Sequence, residues 1–364
     1  MKTRALKNYD SSVGVEVYDI DLNSNEEIIE LGKLVASQCV TFIDQQIDTH
    51  RLYDIMTQWG TPSRALLHNY ILQRKIEGRH WREILLNLGL IAKEVSDMSD
   101  AVSIVSYKKD EKDRPKGIFS NGELDWHSDQ CGFDDAPRMI GLQSISDSVN
   151  SQTQFLCTHD AYESLSRDMK SMVQELVCKH RWVDGVMAPG LNETQSLIIH
   201  YNMVPLDGME TKLFTESATG LPGIKLPSHS FDGFVGMSTE ESQRVLNELK
   251  KVIYNDKYVY TQDWQDGQIV FMDQEITLHK RPTYVADCSL RTMARVITYL
   301  DKLYPNKIPT THVRYKGDML SHDEFAKLVD EDRKRIFDGA QHGDYTSADA
   351  NVPVIGVDTK VHAY

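Results

Sequence analysis

From residue 138 onward the sequence consists mainly of short β-rich segments, and this succession limits the folds that the chain can adopt. The segments are RMIGLQSI, TQFLC, KHRWV, SLIIHYNMV, KLFTE, KYVYTQ, GQIVFMD and RTMARVITYL. Two amphipathic helices interrupt them, HDAYESLSRDMKSMVQELV and STEESQRVLNELKKVIYN, the second with capping-box spacing between Ser238 and Glu241. Many short strands with few helices favour a barrel or sandwich over a doubly wound parallel sheet. We therefore predict a mainly β fold with flanking helices.

The first sixty residues alternate strand and helix signals. VGVEVYDIDL and CVTFID predict strands, and the segments that open at Ser24 and Asp48 predict amphipathic helices, the second of which ends at Gly60. Residues 64–100 predict a helical insertion or lid beside the core, and AVSIVSY resumes a strand. We expect one domain over residues 1–305, followed by a C-terminal helix and polar tail over residues 306–364.

Charge and composition exclude several classes of protein. A formal net charge of −14 argues against a nucleic-acid-binding surface, because phosphate recognition needs clustered Lys and Arg. No window approaches 18 continuous apolar residues, and MKTRALKNYDSSVG is not followed by an apolar run, so neither a membrane span nor a secretory signal is expected. The five cysteines are odd in number and widely spaced, which predicts neither a disulfide framework nor a zinc site and favours a reducing, cytoplasmic location.

The segment GELDWHSDQCGF contains the strongest candidate for a site, His127 and Asp129 in a His-x-Asp motif. With 13 His in an Asp-rich chain, about one such motif is expected by chance, and a surface pair is the ordinary interpretation. A second copy, His342-Gly-Asp344, lies in the tail with only His362 beyond it, and we set it aside.

Companions elsewhere in the chain distinguish the first motif. FMDQEITLHKRP places His279 just after a strong strand, and NSQTQFLC places Thr153 at the head of another strand. Arg291 and Arg295 are four apart on a predicted strand and so share a face. Two imidazoles and one carboxylate form the facial triad typical of non-haem Fe(II), which leaves positions for a 2-oxo acid and for dioxygen. Arg would hold a second carboxylate of that acid by two hydrogen bonds.

The order His-x-Asp, Thr, distal His, Arg resembles that of the taurine dioxygenase and 2,4-dichlorophenoxyacetate dioxygenase family of Fe(II)/2-oxoglutarate-dependent oxygenases, which are clavaminate synthase-like. The resemblance covers roughly residues 12–300, including the HDAYESLS helix and FMDQEITLH. It implies a double-stranded β-helix (jelly-roll) core in which His127, Asp129 and His279 bind Fe(II). It also implies that Thr153 and Arg291 hold the distal carboxylate of 2-oxoglutarate, with O2 as the second co-substrate.

The resemblance also gives expectations for the substrate. Arg295 would bind an acidic group of the substrate, or else complete the 2-oxoglutarate site, while Trp126, His68 and Tyr70 would contribute to the substrate pocket. The expected reaction is oxidation, by default hydroxylation, of an unactivated C–H bond in a small polar, acid-bearing molecule such as an amino acid or a sulfonate. Succinate and CO2 would be released. Because Asp129 is present, halogenation is disfavoured, whereas desaturation or cyclisation stays open.

The chain departs from the family pattern in several places. The spacing from His279 to Arg291 is one residue longer than in the taurine enzyme, NSQT replaces a Gly-Gly-Asp-Thr turn, and Gln274 stands where Asn is common. Two rival functions remain at this point, a zinc-dependent hydrolase with the same ligands and a non-catalytic jelly-roll binding protein. A small molecule is the expected partner, and because family members are often dimers or tetramers, a homo-oligomer is an expectation.

Overall fold

The computed structural model of the chain describes residues 1–63, 102–106, 108, 111, 124–129, 131, 136–180, 209–227, 231–282 and 290–307. The insertion expected at 64–100, the predicted strand SLIIHYNMV, most of KHRWV, and the expected C-terminal helix and tail lie outside these residues.

The helices of the described residues begin close to where their caps predict. They are α1 (Asn25–Val35), α2 (Thr49–Trp59), α3 (Thr158–Glu163), α4 (Arg167–Glu175), α5 (Thr239–Ile253) and one 3-10 helix, η1 (Asp256–Tyr258). The Ser238 hydroxyl accepts a hydrogen bond from the Glu241 amide at 3.1 Å, which confirms the predicted cap of α5. The single long helix predicted over HDAYESLSRDMKSMVQELV is wrong, because Ser166 caps a new helix, α4, by accepting from the Met169 amide at 3.3 Å.

The strands are short, as the sequence indicates. In the described residues they are β1 (Lys2–Ala5), β2 (Gly14–Tyr18), β3 (Val40–Ile43), β4 (Pro62–Ser63), β5 (Val102–Ser106), β6 (Leu124–His127), β7 (Arg138–Ser146), β8 (Gln152–Cys157), β9 (Val177–His180), β10 (Met209–Lys212), β11 (Phe214–Glu216), β12 (Pro222–Ile224), β13 (Phe231–Phe234), β14 (Val259–Asp263), β15 (Ile269–Asp273), β16 (Thr277–Arg281) and β17 (Thr292–Tyr299). The prediction of a mainly β fold is confirmed.

Two sheets form the body of the molecule. The larger has the order β1-β2-β3-β15-β7-β17-β4, with β5 also paired to β17, and the smaller has the order β14-β8-β16-β6. Their pairings are antiparallel except for the parallel pair β2–β3. Two minor sheets, β10-β9-β13 and β11-β12, lie outside this body of strands.

Apolar side chains distinguish the two faces of the smaller sheet: the inner face, which packs against the larger sheet, and the outer face, which packs against helices. Phe155, Tyr260 and Trp264 are buried in one cluster with side chains of the larger sheet. Leu156 and Leu278 are buried in another cluster, with residues of α3, α4 and α5. Because neighbouring residues of a strand point to opposite faces, this pattern fixes which side chains of β8 and β16 lie between the two sheets.

The expectation that the cysteines form no disulfide is wrong for one pair. Cys39 and Cys157 form a disulfide, with 5.7 Å between their Cα atoms and 118 residues between them in the chain. The sequence spacing does not show this proximity, which arises because the end of β8 lies beside the residue that precedes β3. Cys131 and Cys178 are buried thiols that are not part of this disulfide. No helix in the described part of the chain is long and apolar enough to cross a membrane.

Candidate active site

A row of aligned side chains crosses the inner face of the four-stranded sheet. Tyr260 on β14 is opposite Phe155 on β8, and Phe155 is opposite His279 on β16. His279 is in turn opposite His127, the last residue of β6. Directly opposed residues project to the same face, so both imidazoles point into the space between the sheets, opposite in direction to Leu278.

Asp129 completes a set of three ligand groups. Its Oδ1 atom lies 3.6 Å from Nε2 of His127 and 4.0 Å from Nε2 of His279. The candidate ligand atoms of the three residues all lie within 4.8 Å of one another. A metal ion bound at about 2.1 Å from each atom would fit between them with small side-chain shifts.

The protonation states of two of these groups suit a metal. Burial alone would raise the pKa of Asp129, but Arg295 and the two imidazoles outweigh it and lower this pKa to about 2. Burial, helped by His127 and Arg295, lowers the pKa of His279 to about 3. Asp129 is therefore an anion and His279 a neutral imidazole at physiological pH, and these are the forms that bind metals.

The backbone fixes the ring of His127. Its Nδ1 atom lies 2.6 Å from the carbonyl oxygen of Asp125. A carbonyl only accepts hydrogen bonds, so Nδ1 carries a proton, and Nε2 is the ring nitrogen that faces Asp129 and His279. Such a second hydrogen bond is the usual way in which proteins orient a metal-binding histidine. The donor set therefore fits a divalent metal of the facial-triad type.

The residue between the two ligands of the motif is also held. The Ser128 hydroxyl lies 3.1 Å from both the backbone oxygen and the Oε1 atom of Gln274. Ser128 and Gln274 are almost completely buried. Because Gln274 lies in the turn that leads from β15 into β16, this contact ties the loop that carries Asp129 to the strand that carries His279.

Arg295 contacts the metal-ligand set directly. Its Nη1 atom donates to Oδ2 of Asp129 at 2.7 Å, while Oδ1 faces the two imidazoles. The two side chains are only 13% and 9% exposed, so the ion pair is largely shielded from water. This geometry leaves Oδ1 for a metal and assigns Oδ2 to the arginine. It gives Arg295 a contact that the sequence did not predict.

Thr153 and Arg291 lie close together in the chain fold. Thr153 is on β8 two residues from Phe155 and therefore on the inner face, and its hydroxyl accepts from Nε1 of Trp264 at 2.9 Å. Arg291 is buried, and its Nη1 atom donates to the carbonyl oxygen of Gln152, next to Thr153, at 3.4 Å.

The expectation for Trp126 needs correction. It precedes the inward-pointing His127 on β6 and packs with the outer cluster, with 6.1 Å between its ring centroid and that of Tyr254. Alternation along the strand therefore turns it away from the metal ligands, and it does not line the space between the sheets. His68 and Tyr70 lie outside the described residues.

Sequence reasoning missed three residues around the site. Gln274 was noticed only as a departure from the family pattern. Trp264 and the buried Arg281 were not considered. Strand alternation could have indicated Arg281 and Trp264. Arg281 lies two residues beyond His279 on β16, and Trp264 lies two residues beyond Gln262, which is opposite Thr153.

Comparisons with known proteins agree with this geometry. The family model described as taurine catabolism dioxygenase TauD, TfdA family matches residues 3–297. An alkylsulfatase from Acinetobacter baylyi is 27% identical over 177 residues, which cover 46% of this chain and 54% of the relative. An (S)-phenoxypropionate/alpha-ketoglutarate-dioxygenase from Sphingobium herbicidovorans is 26% identical over 166 residues, which cover 44% of this chain and 56% of the relative. The chain thus spans just over half the length of these curated relatives.

A solved structure shows the same fold. The crystal structure of a taurine dioxygenase from Burkholderia xenovorans superposes with a TM-score of 0.57 at 17% identity, covering 87% of this chain and 96% of that one. The jelly-roll core that the sequence predicts is therefore confirmed.

Proposed function

Because the chain belongs to the taurine catabolism dioxygenase TauD/TfdA family, we propose that it is an Fe(II)- and 2-oxoglutarate-dependent dioxygenase. Its expected reaction is oxidation, by default hydroxylation, of an unactivated C–H bond in a small polar molecule. The observation that carries the proposal is the set of His127, Asp129 and His279, whose ligand atoms lie within 4.8 Å of one another on the inner face of the smaller sheet.

The three ligands would hold iron on one side only. Bound iron together with 2-oxoglutarate and dioxygen supplies the oxidising chemistry, in which 2-oxoglutarate is converted to succinate and CO2. The chain contributes two imidazoles, one of them fixed by the Asp125 carbonyl, and one carboxylate kept ionised in a buried place. The side chains of His127, Asp129 and His279 are only 12%, 9% and 11% exposed, so they are largely shielded from bulk water.

We propose that Thr153 and Arg291 bind the distal carboxylate of 2-oxoglutarate. Arg291 is a buried guanidinium next to the strand that carries Thr153, and a guanidinium can hold a carboxylate by two parallel hydrogen bonds. The Thr153 hydroxyl lies on the same sheet face as His279, so one co-substrate can reach both the metal and this pair.

We propose an acid-bearing substrate such as an amino acid or a sulfonate. Arg281 supports this class, because it places a buried cation on the strand of His279, two residues beyond that ligand. Arg295 is assigned first to Asp129, as its 2.7 Å hydrogen bond shows, and any contact with substrate would be additional. Desaturation or cyclisation would need the same residues and would differ from hydroxylation only in where the substrate radical lies.

The test is an anaerobic titration. Fe(II) and 2-oxoglutarate should together produce the weak visible charge-transfer band of their chelate, and His127→Ala should abolish it. His159→Ala is the matched control, because His159 contacts the carbonyl oxygen of Pro222 and is not in the ligand set. A missing band in the unmodified protein, or a band that persists in His127→Ala, would contradict the proposal and favour a zinc hydrolase or a binding protein. Succinate release measured across amino acids, sulfonates and other small acids would then identify the substrate class.

A further inference from the structure

We infer that Trp264 is a positioning residue that turns the Thr153 hydroxyl into a hydrogen-bond donor for the distal carboxylate of 2-oxoglutarate. The inference rests on the proposed function, because it concerns the anion that Thr153 and Arg291 are proposed to bind. It adds a residue that acts on the co-substrate through Thr153.

The hydrogen bond between Trp264 and Thr153 can have only one direction. Nε1 of Trp264 lies 2.9 Å from Oγ1 of Thr153, in a buried position. An indole N–H can only donate, so the threonine oxygen must accept. Trp264 is completely buried and Thr153 is 6% exposed, so water is not available to replace this bond.

This direction leaves the hydroxyl proton of Thr153 for another acceptor. A hydroxyl has one proton and two lone pairs, and the indole occupies one lone pair. Among the described residues, none accepts the proton of Thr153. Without the indole, the threonine hydroxyl could equally well act as a hydrogen-bond acceptor. In that orientation it would turn a lone pair toward the carboxylate and repel it.

The direction of the proton fits an anion near Arg291. Thr153 shares the inner face of β8 with Phe155, which is opposite His279. The hydroxyl is thus about 7 Å along the strand from the metal-ligand row. Arg291 donates to the carbonyl oxygen of Gln152, the neighbour of Thr153. An extended five-carbon diacid bound to the metal at one end could place its other carboxylate between these two donors.

The experiment compares two 2-oxo acids by the anaerobic charge-transfer band of the Fe(II) protein. 2-Oxoglutarate carries the distal carboxylate, and 2-oxopentanoate has a methyl group in its place. Trp264→Phe should weaken 2-oxoglutarate binding by about twofold to twelvefold, the range for one neutral hydrogen bond, and leave 2-oxopentanoate binding unchanged. Thr153→Val should have an equal or larger effect, and the double variant should bind no more weakly than Thr153→Val alone.

Trp59→Phe is the matched control. Trp59 is also completely buried and also loses an indole hydrogen bond, the one to the Ile28 carbonyl at 2.8 Å, but it lies in the cluster with α1 and α2. Its substitution should lower thermal stability without changing the affinity for either acid. The Mn(II) affinity should be the same in all variants, because none of them changes a metal ligand.

The outcomes separate the inference from the proposed function. Unchanged 2-oxoglutarate affinity in Trp264→Phe, equal weakening for both acids, or additive effects in the double variant would overturn the inference while the normal band upholds the function. No band in the unmodified protein would overturn both. If Trp264→Phe does not fold, the indole N–H resonance that Thr153→Val displaces can be followed in Zn(II)-loaded protein. It should move when 2-oxoglutarate is added and stay in place with 2-oxopentanoate, and the reverse pattern would overturn the inference.

Discussion

Replacing Arg295 by Met should destabilise the metal-free protein far more than the metal-loaded protein. The guanidinium lies 2.7 Å from Oδ2 of Asp129, and the two side chains are 13% and 9% exposed. An exposed pair of this kind contributes about 0–1 kcal/mol, but removing one partner of a buried pair costs about 3–5 kcal/mol, because the remaining charge has no counterion. The low exposure places this pair in the second range. Without metal, the free energy of unfolding should therefore fall by about 3–5 kcal/mol.

A bound metal changes this result because it supplies the missing positive charge. An ion held by His127, Asp129 and His279 would lie against Oδ1 of the same carboxylate whose Oδ2 has lost its partner. If it restores about 2 kcal/mol, metal affinity in the variant should rise about 30-fold, since affinity and stability are linked. The arginine and the metal thus compete as counterions for Asp129.

Urea unfolding with and without saturating Mn(II) measures both quantities. Lys225→Met is the control, because it breaks the Lys225–Glu275 pair, in which each side chain is 5% exposed, without touching a metal ligand. Its loss of stability should be similar and should not depend on Mn(II). If Mn(II) stabilises Arg295→Met equally or less than the unmodified protein, the competition is refuted and Arg295 acts mainly to orient Asp129.

Three further predictions follow from the buried groups. Arg291→Ala should raise the apparent KM for 2-oxoglutarate by about 100-fold or more, because a charged contact made by two hydrogen bonds is lost, and Arg291→Lys should be intermediate. Unchanged kinetics would show that Arg291 does not bind 2-oxoglutarate. Burial, with help from Glu275, raises the pKa of Asp273 to about 8. In the unfolded chain Asp273 ionises near its ordinary pKa, whereas the folded chain keeps it protonated. The free energy of unfolding should therefore fall between about pH 4 and pH 8 by up to about 1.4 kcal/mol per pH unit. Asp273→Asn should flatten this slope in urea titrations. Reduction of the Cys39–Cys157 disulfide, which spans 118 residues, should lower the free energy of unfolding by about 5 kcal/mol, and the Cys39→Ala/Cys157→Ala protein should no longer respond to reductant.

Local patterns predicted much of this fold. Ser24, Ser238 and Gly60 indicate helix ends because caps are read within one turn of chain, and the structure places helix ends at these residues. Ser166 was missed because a cap in the middle of a continuous amphipathic pattern looks like an ordinary helical position. The β6 strand was missed because four residues are too few to show a period.

The candidate site shows where sequence reasoning ends. His127, Asp129 and His279 were chosen for their chemistry and order, and the register of β6 and β16 brings them together. Long-range contacts with no fixed spacing, such as Trp264 with Thr153, depend on how two strands align. The inward or outward direction of Trp126 follows from alternation once β6 is known to be a strand.

The direct opposition of His127 and His279 has a consequence for β6 itself. This strand has four residues and lies at the end of its sheet, where β16 is its one partner in the described part of the chain. A shift of one position along such an edge would turn His127 to the outer surface. A metal bound by both histidines would therefore be a cross-strand link that fixes the alignment of the edge, so the ion that serves the chemistry would also hold in place the strand that presents it.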